Sequence, residues 1–350
     1  MLTAEQQSAL LQWGKLLSEA GLDRWWQRKA GREHAPIAEK FQVLARLFGD
    51  GQDVGTRDLL ACVPGGLLST IETLGLVTRS GEAVTPAYQL IFNLGSWLFY
   101  EKLSPSAKSY YGNDTGELSR LVRGATGNVL DLGSGIGTHA LVCARTAARV
   151  TAVEIEPLAA KLFWINAAMN GLSHKLELFI GDLFEPVAGR KFDLICCNPP
   201  YMPVPPGMQY PQLANGGPDG LAIMRRLLAG VPQALNRGGR CAIFGSALGT
   251  RNGPDLAPFK QMAAESSLAM LMDCRTRNEL EGEILKKFVG MATRTSDNED
   301  LEAAFRRHFA SLNATHLYCF LLHVQRAPSP ALCASYRDGQ ATTFREVPIP

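Results

Sequence analysis

Between residues 128 and 197 short apolar runs recur at intervals that suit helices. Residues 128–132, 149–155, 176–181 and 192–197 are each too short for a buried helix, and each ends at glycine, an acid or an Asn-Pro step, so they read as strands. Residues 139–147 fill the first interval with a helical pattern. Strand and helix in alternation predict a mostly parallel sheet with helices on both faces. Later runs at 240–247, 269–276 and 315–324 bring the expected sheet to seven strands, a Rossmann-like α/β fold.

The first third carries a different rhythm. Leu10, Leu11, Trp13, Leu16 and Leu17 fall at helical spacing within 3–20, and Gly21 ends the run. Pro36 opens a second helix over 37–48, closed by Gly49-Asp50-Gly51, and helices over 56–62 and 66–74 part at Pro64-Gly65-Gly66. Residues 76–78 and 83–85 alternate around Arg79-Ser80-Gly81-Glu82, which predicts a hairpin. Helices followed by such a hairpin describe a winged-helix-like module over 1–112, ahead of an α/β domain over 113–327. Within the latter, charged amphipathic helices at 278–291 and 298–312 form an insertion, read either as a lid over the site or as a dimer surface. Residues 328–350, rich in proline and polar groups, read as a tail, draped over the surface or partly disordered.

Composition narrows the function. Thirty-five Lys and Arg against 33 Asp and Glu leave a net charge of +2, without the basic excess that phosphate binding favours. Nucleic acid is therefore disfavoured as a partner. No uncharged apolar run is long enough to cross a membrane, and the start lacks a basic stretch before an apolar block, so the expected location is cytoplasmic. The eight cysteines show no paired Cys-x-x-Cys spacing, which favours buried thiols over zinc; no metal is expected. The Arg24-Trp25-Trp26-Gln27-Arg28-Lys29 cluster fits a packed helix with solvated charges.

The candidate chemistry begins where the first strand ends. Asp131-Leu132-Gly133-Ser134-Gly135-Ile136-Gly137 places three glycines between a strand and a helix. Such a turn lets a ligand approach the backbone and offers it the unpaired N–H groups of a helix start. The third glycine falls one residue short of the dinucleotide fingerprint, so no diphosphate has to be accommodated. Glu154, with Ile155 beside it, closes the second strand about twenty residues on, where a carboxylate can accept both hydroxyls of a ribose. Asp182 and Leu183 follow the third strand directly. Asp131-x-Gly-x-Gly-x-Gly resembles the first motif of class I methyltransferases. That resemblance implies S-adenosylmethionine as cofactor, its methionine part held by the turn, its adenine amino group by Asp182 and its ring by the Leu183 backbone.

The fourth strand runs into Asn198-Pro199-Pro200-Tyr201. Two prolines cannot donate to a ladder, so the strand stops and the turn is stiff. The Asn198 side-chain oxygen and the Pro199 carbonyl can both accept from one NH₂ group and aim its lone pair, while Tyr201 stacks on the plane that bears the nitrogen. The polar segment Tyr110-Tyr111-Gly112-Asn113-Asp114-Thr115 leads into a helix over 117–123, with Asp114 or Thr115 as its cap or with Thr115 and the tyrosines as a wall of the cofactor site.

Thr115-Gly116-Glu117-Leu118, the glycine turn, the Asn-Pro-Pro-Tyr turn and Gly216-Gly217-Pro218-Asp219-Gly220-Leu221 together resemble the release-factor glutamine methyltransferase family over 115–221. The resemblance implies methylation of an amide or amine nitrogen on a small metabolite or a polypeptide side chain. Two departures leave the acceptor open: the hairpin in the N-terminal module and the insertion at 278–312. Two other readings stand beside it, a nucleic-acid base methyltransferase that grips an exocyclic adenine amine, and a winged-helix regulator that senses the cofactor. A homodimer is compatible with the sequence.

Overall fold

A computed structural model describes residues 2–29, 37–292, 300–338 and 341–347. Pro36, together with Asn298 and Glu299 at the start of the second expected insertion helix, lies outside the described residues.

The first helix, Ala4–Glu19, is held at its start by Thr3, whose Oγ1 accepts the Gln6 N–H at 3.1 Å while Gln6 Oε1 accepts the Thr3 N–H at 3.0 Å. The expected helix over 37–48 is a succession of 3₁₀, α and π turns from 39 to 49. Helices Thr56–Leu60 and Gly65–Thr73 follow, and Val77–Ser80 pairs with Ala83–Pro86 as the predicted hairpin, joined on its far side by Val54–Gly55. A second hairpin, Gln89–Asn93 with Ser96–Tyr100, was not anticipated.

The α/β domain begins with α1 (Asn113–Val122), four residues ahead of its expected start. Then come β1 (Asn128–Leu132), α2 (Thr138–Ala144), β2 (Arg149–Glu154), α3 (Pro157–Met169), β3 (Leu176–Ile180) and β4 (Phe192–Cys197). The remainder is α4 (Ala222–Ala234), β5 (Leu235–Thr250), α5 (Ala257–Ser266), β6 (Leu268–Glu279), α6 (Gly282–Met291), α7 (Leu301–Ser311), β7 (His316–Arg326), β8 (Ala331–Asp338) and β9 (Ala341–Val347). Strands β1 to β6 run parallel, with β7 antiparallel between β5 and β6, and the sheet order is 9-8-6-7-5-4-1-2-3.

Two expectations change. The sheet is larger than seven strands, because residues expected as a tail form β8, parallel to β6, and β9, antiparallel to β8. Proline at 328 and 330 marks the turn into β8, and the apolar Leu332 and Ala334 alternate onto the core side. The first insertion helix starts at Gly282, since residues 278 and 279 still belong to β6.

Alternation along β5 sorts the core. Cys241 and Ile243 face a cluster under α4 and α5, and Ala242 and Phe244 face the larger cluster that continues into the N-terminal helices. That continuity has a polar component. Asn166 and Asn170 lie one turn apart on α3 and bond the edge of Ser96–Tyr100 as a neighbouring strand would. The Phe99 N–H donates to Asn166 Oδ1 at 2.8 Å and Asn166 Nδ2 donates to the Phe99 carbonyl at 3.1 Å; Asn170 repeats the pattern on Trp97 at 2.9 and 2.7 Å. Asn166 Nδ2 also donates to the Ile136 carbonyl at 3.0 Å, inside the glycine turn.

Asn166→Leu should therefore strand a buried N–H and two carbonyls at once. The expected loss is roughly 2–4 kcal/mol from the unmet groups, read as a lower urea midpoint, with Asn170→Leu costing less because its surroundings are wetter.

Candidate functional site

Pairing between β1 and β4 sets Leu132 beside Cys197. Paired strands lie about 4.8 Å apart, so the turn starting at Gly133 and the turn starting at Asn198 leave one edge of the sheet side by side. β1 is flanked by β2 and β4, whose connecting helices lie on opposite faces of the sheet, and such a switch point opens a crevice at the carboxyl ends of the strands.

The three glycines differ in what they do. Gly133 and Gly135 have φ of +63° and +53°, and a side chain at either would project into open space. Gly137 has φ of +88° and faces Phe163, which a Cβ there would meet at 2.7 Å. Gly133 and Gly135 thus keep a cradle open to a ligand, whereas Gly137 lets α2 dock on α3. Around the cradle the hydroxyls of Ser134 and Thr138 are buried with no hydrogen-bond partner in the structure. Unmet polar groups beside an open backbone turn fit a polar ligand.

Three acids lie around this space. Glu154, buried at the end of β2, accepts the Gly135 N–H on Oε2 at 2.6 Å and the Glu156 N–H on Oε1 at 2.8 Å. Burial pushes its carboxyl up, and each oxygen can still accept a second bond. Beside it Ile155 is 48% exposed, an apolar surface at the crevice. Asp182 pairs with Arg226 of α4 at 2.7 Å, and Leu183 holds a left-handed φ of +45°, an uncommon conformation for a branched residue. Asp131 lies beneath the turn rather than in it. Its Oδ2 accepts the Ala140 N–H at 2.9 Å, and burial pushes its carboxyl up to about 7. His139 stands 3.9 Å from Asp131, with Nε2 3.3 Å from the Thr115 carbonyl, and burial lowers it to about 4. Thr115 spends its hydroxyl inside α1, accepting the Gly112 N–H at 3.3 Å.

At the second turn the Asn198 amide donates through Nδ2 to Asp114 Oδ2 at 3.0 Å. The Tyr201 hydroxyl donates to the same oxygen at 3.2 Å. Asn198 Oδ1 is left buried and without a partner. The Tyr201 ring packs at 5.4 Å from Phe244, and its carbonyl accepts from Ser246 Oγ at 2.8 Å. Burial, and secondarily the Asp114 carboxylate, push the Tyr201 phenol well up, so it stays a donor. Asp114, read from the sequence only as a helix cap, is thus a member of the site. An acid at a helix start carries no signal that tells a cap from an anchor.

Beyond Tyr201 the chain folds back on itself. The Met202 N–H donates to the Ala214 carbonyl and the Gly216 N–H to the Met202 carbonyl, both at 2.9 Å. A Cβ at Gly216 would meet the Tyr201 Cα at 2.8 Å, and one at Gly220 the Tyr201 carbonyl at 2.6 Å. The Gly-Gly-Pro-Asp-Gly segment is a backbone clamp on the Asn-Pro-Pro-Tyr turn. The insertion covers this loop: Phe288, Phe305 and Phe309 pack with Met202, Met208 and Tyr210. Tyr210 Oη donates to the Phe288 carbonyl at 3.3 Å, and His308 Nε2 lies 2.7 Å from the Pro218 carbonyl. The apolar face of the insertion therefore packs against the loop that follows Tyr201.

Residues 117–248 match the family model described as methyltransferase small domain. A protein N5-glutamine methyltransferase of Methanocaldococcus jannaschii is 37% identical over 136 residues, 37% of this chain and 68% of that protein. A release factor glutamine methyltransferase of Moorella thermoacetica is 39% identical over 33% of this chain and 44% of its own length. A ribosomal protein uL3 glutamine methyltransferase of Bradyrhizobium diazoefficiens is 37% identical over 37% of this chain and 44% of that one. The chain thus spans less than half the length of the latter two.

The glycines predict separable lesions. Gly135→Leu should fold yet lose roughly a hundredfold or more in calorimetric affinity for S-adenosylhomocysteine, because its side chain fills the cradle. Gly137→Ala should instead lower the urea midpoint, by roughly 1–3 kcal/mol from overpacking.

Asp131 predicts a pH effect. Its folded pKa of about 7 lies above the roughly 3.9 of a free aspartate, so the proton favours the fold and stability drains as pH rises from 4 to 7. Asp131→Asn lacks that drain. Its urea midpoint should gain on wild type between pH 5 and 8, by an amount equivalent to roughly 2 kcal/mol, while the opposite contribution of His139, lost as pH falls from 6.5 to 4, is common to both proteins.

Proposed function

From the premise that the chain belongs to the methyltransferase small domain family and is an S-adenosylmethionine-dependent methyltransferase, we propose that it methylates the side-chain amide nitrogen of glutamine in a protein. One observation carries the reading: the buried, partnerless Asn198 Oδ1 stands at a strand end next to the open glycine cradle. The names of the three relatives supply the substrate class. A substrate of that class belongs to the cytoplasm.

The cofactor fits the residues present. Gly133, Ser134 and Gly135 would hold its methionine part over Asp131, with Gly137 shaping the turn by its packing on Phe163; Glu154 would hold its ribose and Ile155, Asp182 and Leu183 its adenine, with Thr115 supporting the cradle through His139. When bound, S-adenosylmethionine supplies a methyl group activated by a sulfonium.

The chain's own contribution is alignment. A glutamine amide offers two N–H groups, which Asn198 Oδ1 and the Pro199 carbonyl accept, fixing the plane of the amide and directing its nitrogen toward the cradle. Tyr201 stacks against that plane. As the nitrogen gains the methyl group it becomes positive and sheds one of its two protons to water. Both acceptors stabilise the charge while it develops. Positioning of this kind is worth roughly 7–11 kcal/mol, and no basic side chain is required beside the nitrogen.

We read the N-terminal module as winged-helix-like, supported by the hairpin and the helices that precede it. It serves here as packing for α3 and as one end of the substrate crevice, not as a DNA reader, since the charge balance gives no basic face.

The test is labelled S-adenosylmethionine offered with the release factor and ribosomal protein uL3 of the same organism, followed by peptide mass spectrometry. One glutamine should gain a methyl group. Asn198→Ala should bind S-adenosylhomocysteine normally and lose roughly a hundredfold or more in turnover. Label in nucleic acid or on no protein, or a normal rate in Asn198→Ala, would overturn the reading.

A further inference from the structure

We propose that Asp114 is a positioning residue that sets which end of the Asn198 amide faces the acceptor nitrogen; the inference rests on the role given to Asn198 under the proposed function. A side-chain amide has two ends of nearly equal shape and opposite polarity. Presented through Oδ1, Asn198 accepts from the substrate NH₂ and leaves the nitrogen lone pair free. Presented through Nδ2, it would donate into that lone pair and quench it. The backbone of a stiff Asn-Pro-Pro turn fixes where the amide lies but not which end points inward.

Asp114 makes that choice. A carboxylate is an acceptor only, so the end of Asn198 that lies 3.0 Å from Asp114 Oδ2 must be the NH₂. A flip would oppose Asn198 Oδ1 to a carboxylate oxygen at the same distance. The bond is charge-assisted, and the oxygen that receives it also receives the Tyr201 hydroxyl at 3.2 Å. One oxygen thus anchors the two functional side chains at either end of the turn. Asp114 is buried, and Asn198 Oδ1, the end left for the acceptor, is buried without a partner in the protein.

The anchor comes from a helix rather than from the turn itself. Asp114 rides in the first turn of α1, which is fixed to the cofactor side by the contact of His139 with the Thr115 carbonyl and by Leu118 and Val122 in the core. Glu117, on the same helix, pairs with Arg275 of β6 at 3.0 Å. α1 therefore joins the glycine cradle, the catalytic amide and the far strands.

The measurement is amide proton exchange of the Asn198 side chain in the full-length ¹⁵N-labelled protein, the resonance pair assigned by its absence from Asn198→Asp. In wild type the NH₂ protons should exchange at least about tenfold more slowly than in Asp114→Ala, with Asp114→Asn in between because a neutral acceptor remains. Exchange unchanged by Asp114→Ala overturns the proposal; should that variant fail to fold, unchanged exchange in Asp114→Asn does so.

Turnover on the protein substrate gives the second arm. Asp114→Ala should lower kcat about 30-fold or more with S-adenosylhomocysteine affinity unchanged, and should cost nothing further in an Asn198→Ala background, since residues that act as a unit are not additive. An equal additional loss there would make Asp114 merely structural. Absence of any methyl transfer by wild type would overturn the glutamine reading alone, and the exchange experiment would still decide Asp114.

Discussion

The site depends on a pairing between two parallel strands. Because Leu132 lies beside Cys197, the chain leaves β1 and β4 at one level and must build its two turns within a few ångströms of each other. One turn is made of residues without side chains and the other of residues that cannot continue a strand. The first leaves open space beside its backbone, and the second ends its strand at a stiff turn. The Gly-Gly-Pro-Asp-Gly clamp packs directly on the second turn, and the insertion packs on the loop between them.

Three buried carboxylates divide the labour in this space, and their partners explain the division. Asp131 sits wholly inside and accepts only one backbone N–H and the weak Cys196 thiol, too little to keep its charge cheaply, so its carboxyl rises to about 7. Glu154 binds two backbone N–H groups and still looks onto the crevice, where its remaining lone pairs are of use to a ligand. Asp114 binds two side chains and no backbone.

Much of this was legible in the sequence, for a physical reason. β1, β2 and β4 are buried on both faces, so their composition alone marks them, and β1 and β4 were read to the residue; glycine and proline then punctuate the turns. What escaped lacks such a mark. β8 and β9 sit at the sheet edge beyond β6, where mixed polar sequence reads as a loop. The hairpin at 89–100 is completed by two asparagine side chains from a helix more than sixty residues away, and no local pattern announces that. Asp114 escaped because its partners are 84 and 87 residues distant, while its neighbours offer a helix start.

The same long-range bonds bear on how independent the N-terminal module is. A boundary near residue 112 follows from the change of rhythm, yet the two parts share a core that runs from Trp13 and Phe48 through Phe99 to Phe163. Asn166 makes the union chemical: one NH₂ group serves both the Phe99 carbonyl and the Ile136 carbonyl between Gly135 and Gly137. A buried donor shared between two acceptors cannot leave one without disturbing the other. The conformation of the glycine cradle is for that reason not a property of the α/β domain alone, and displacement of the hairpin would be felt where the cofactor binds.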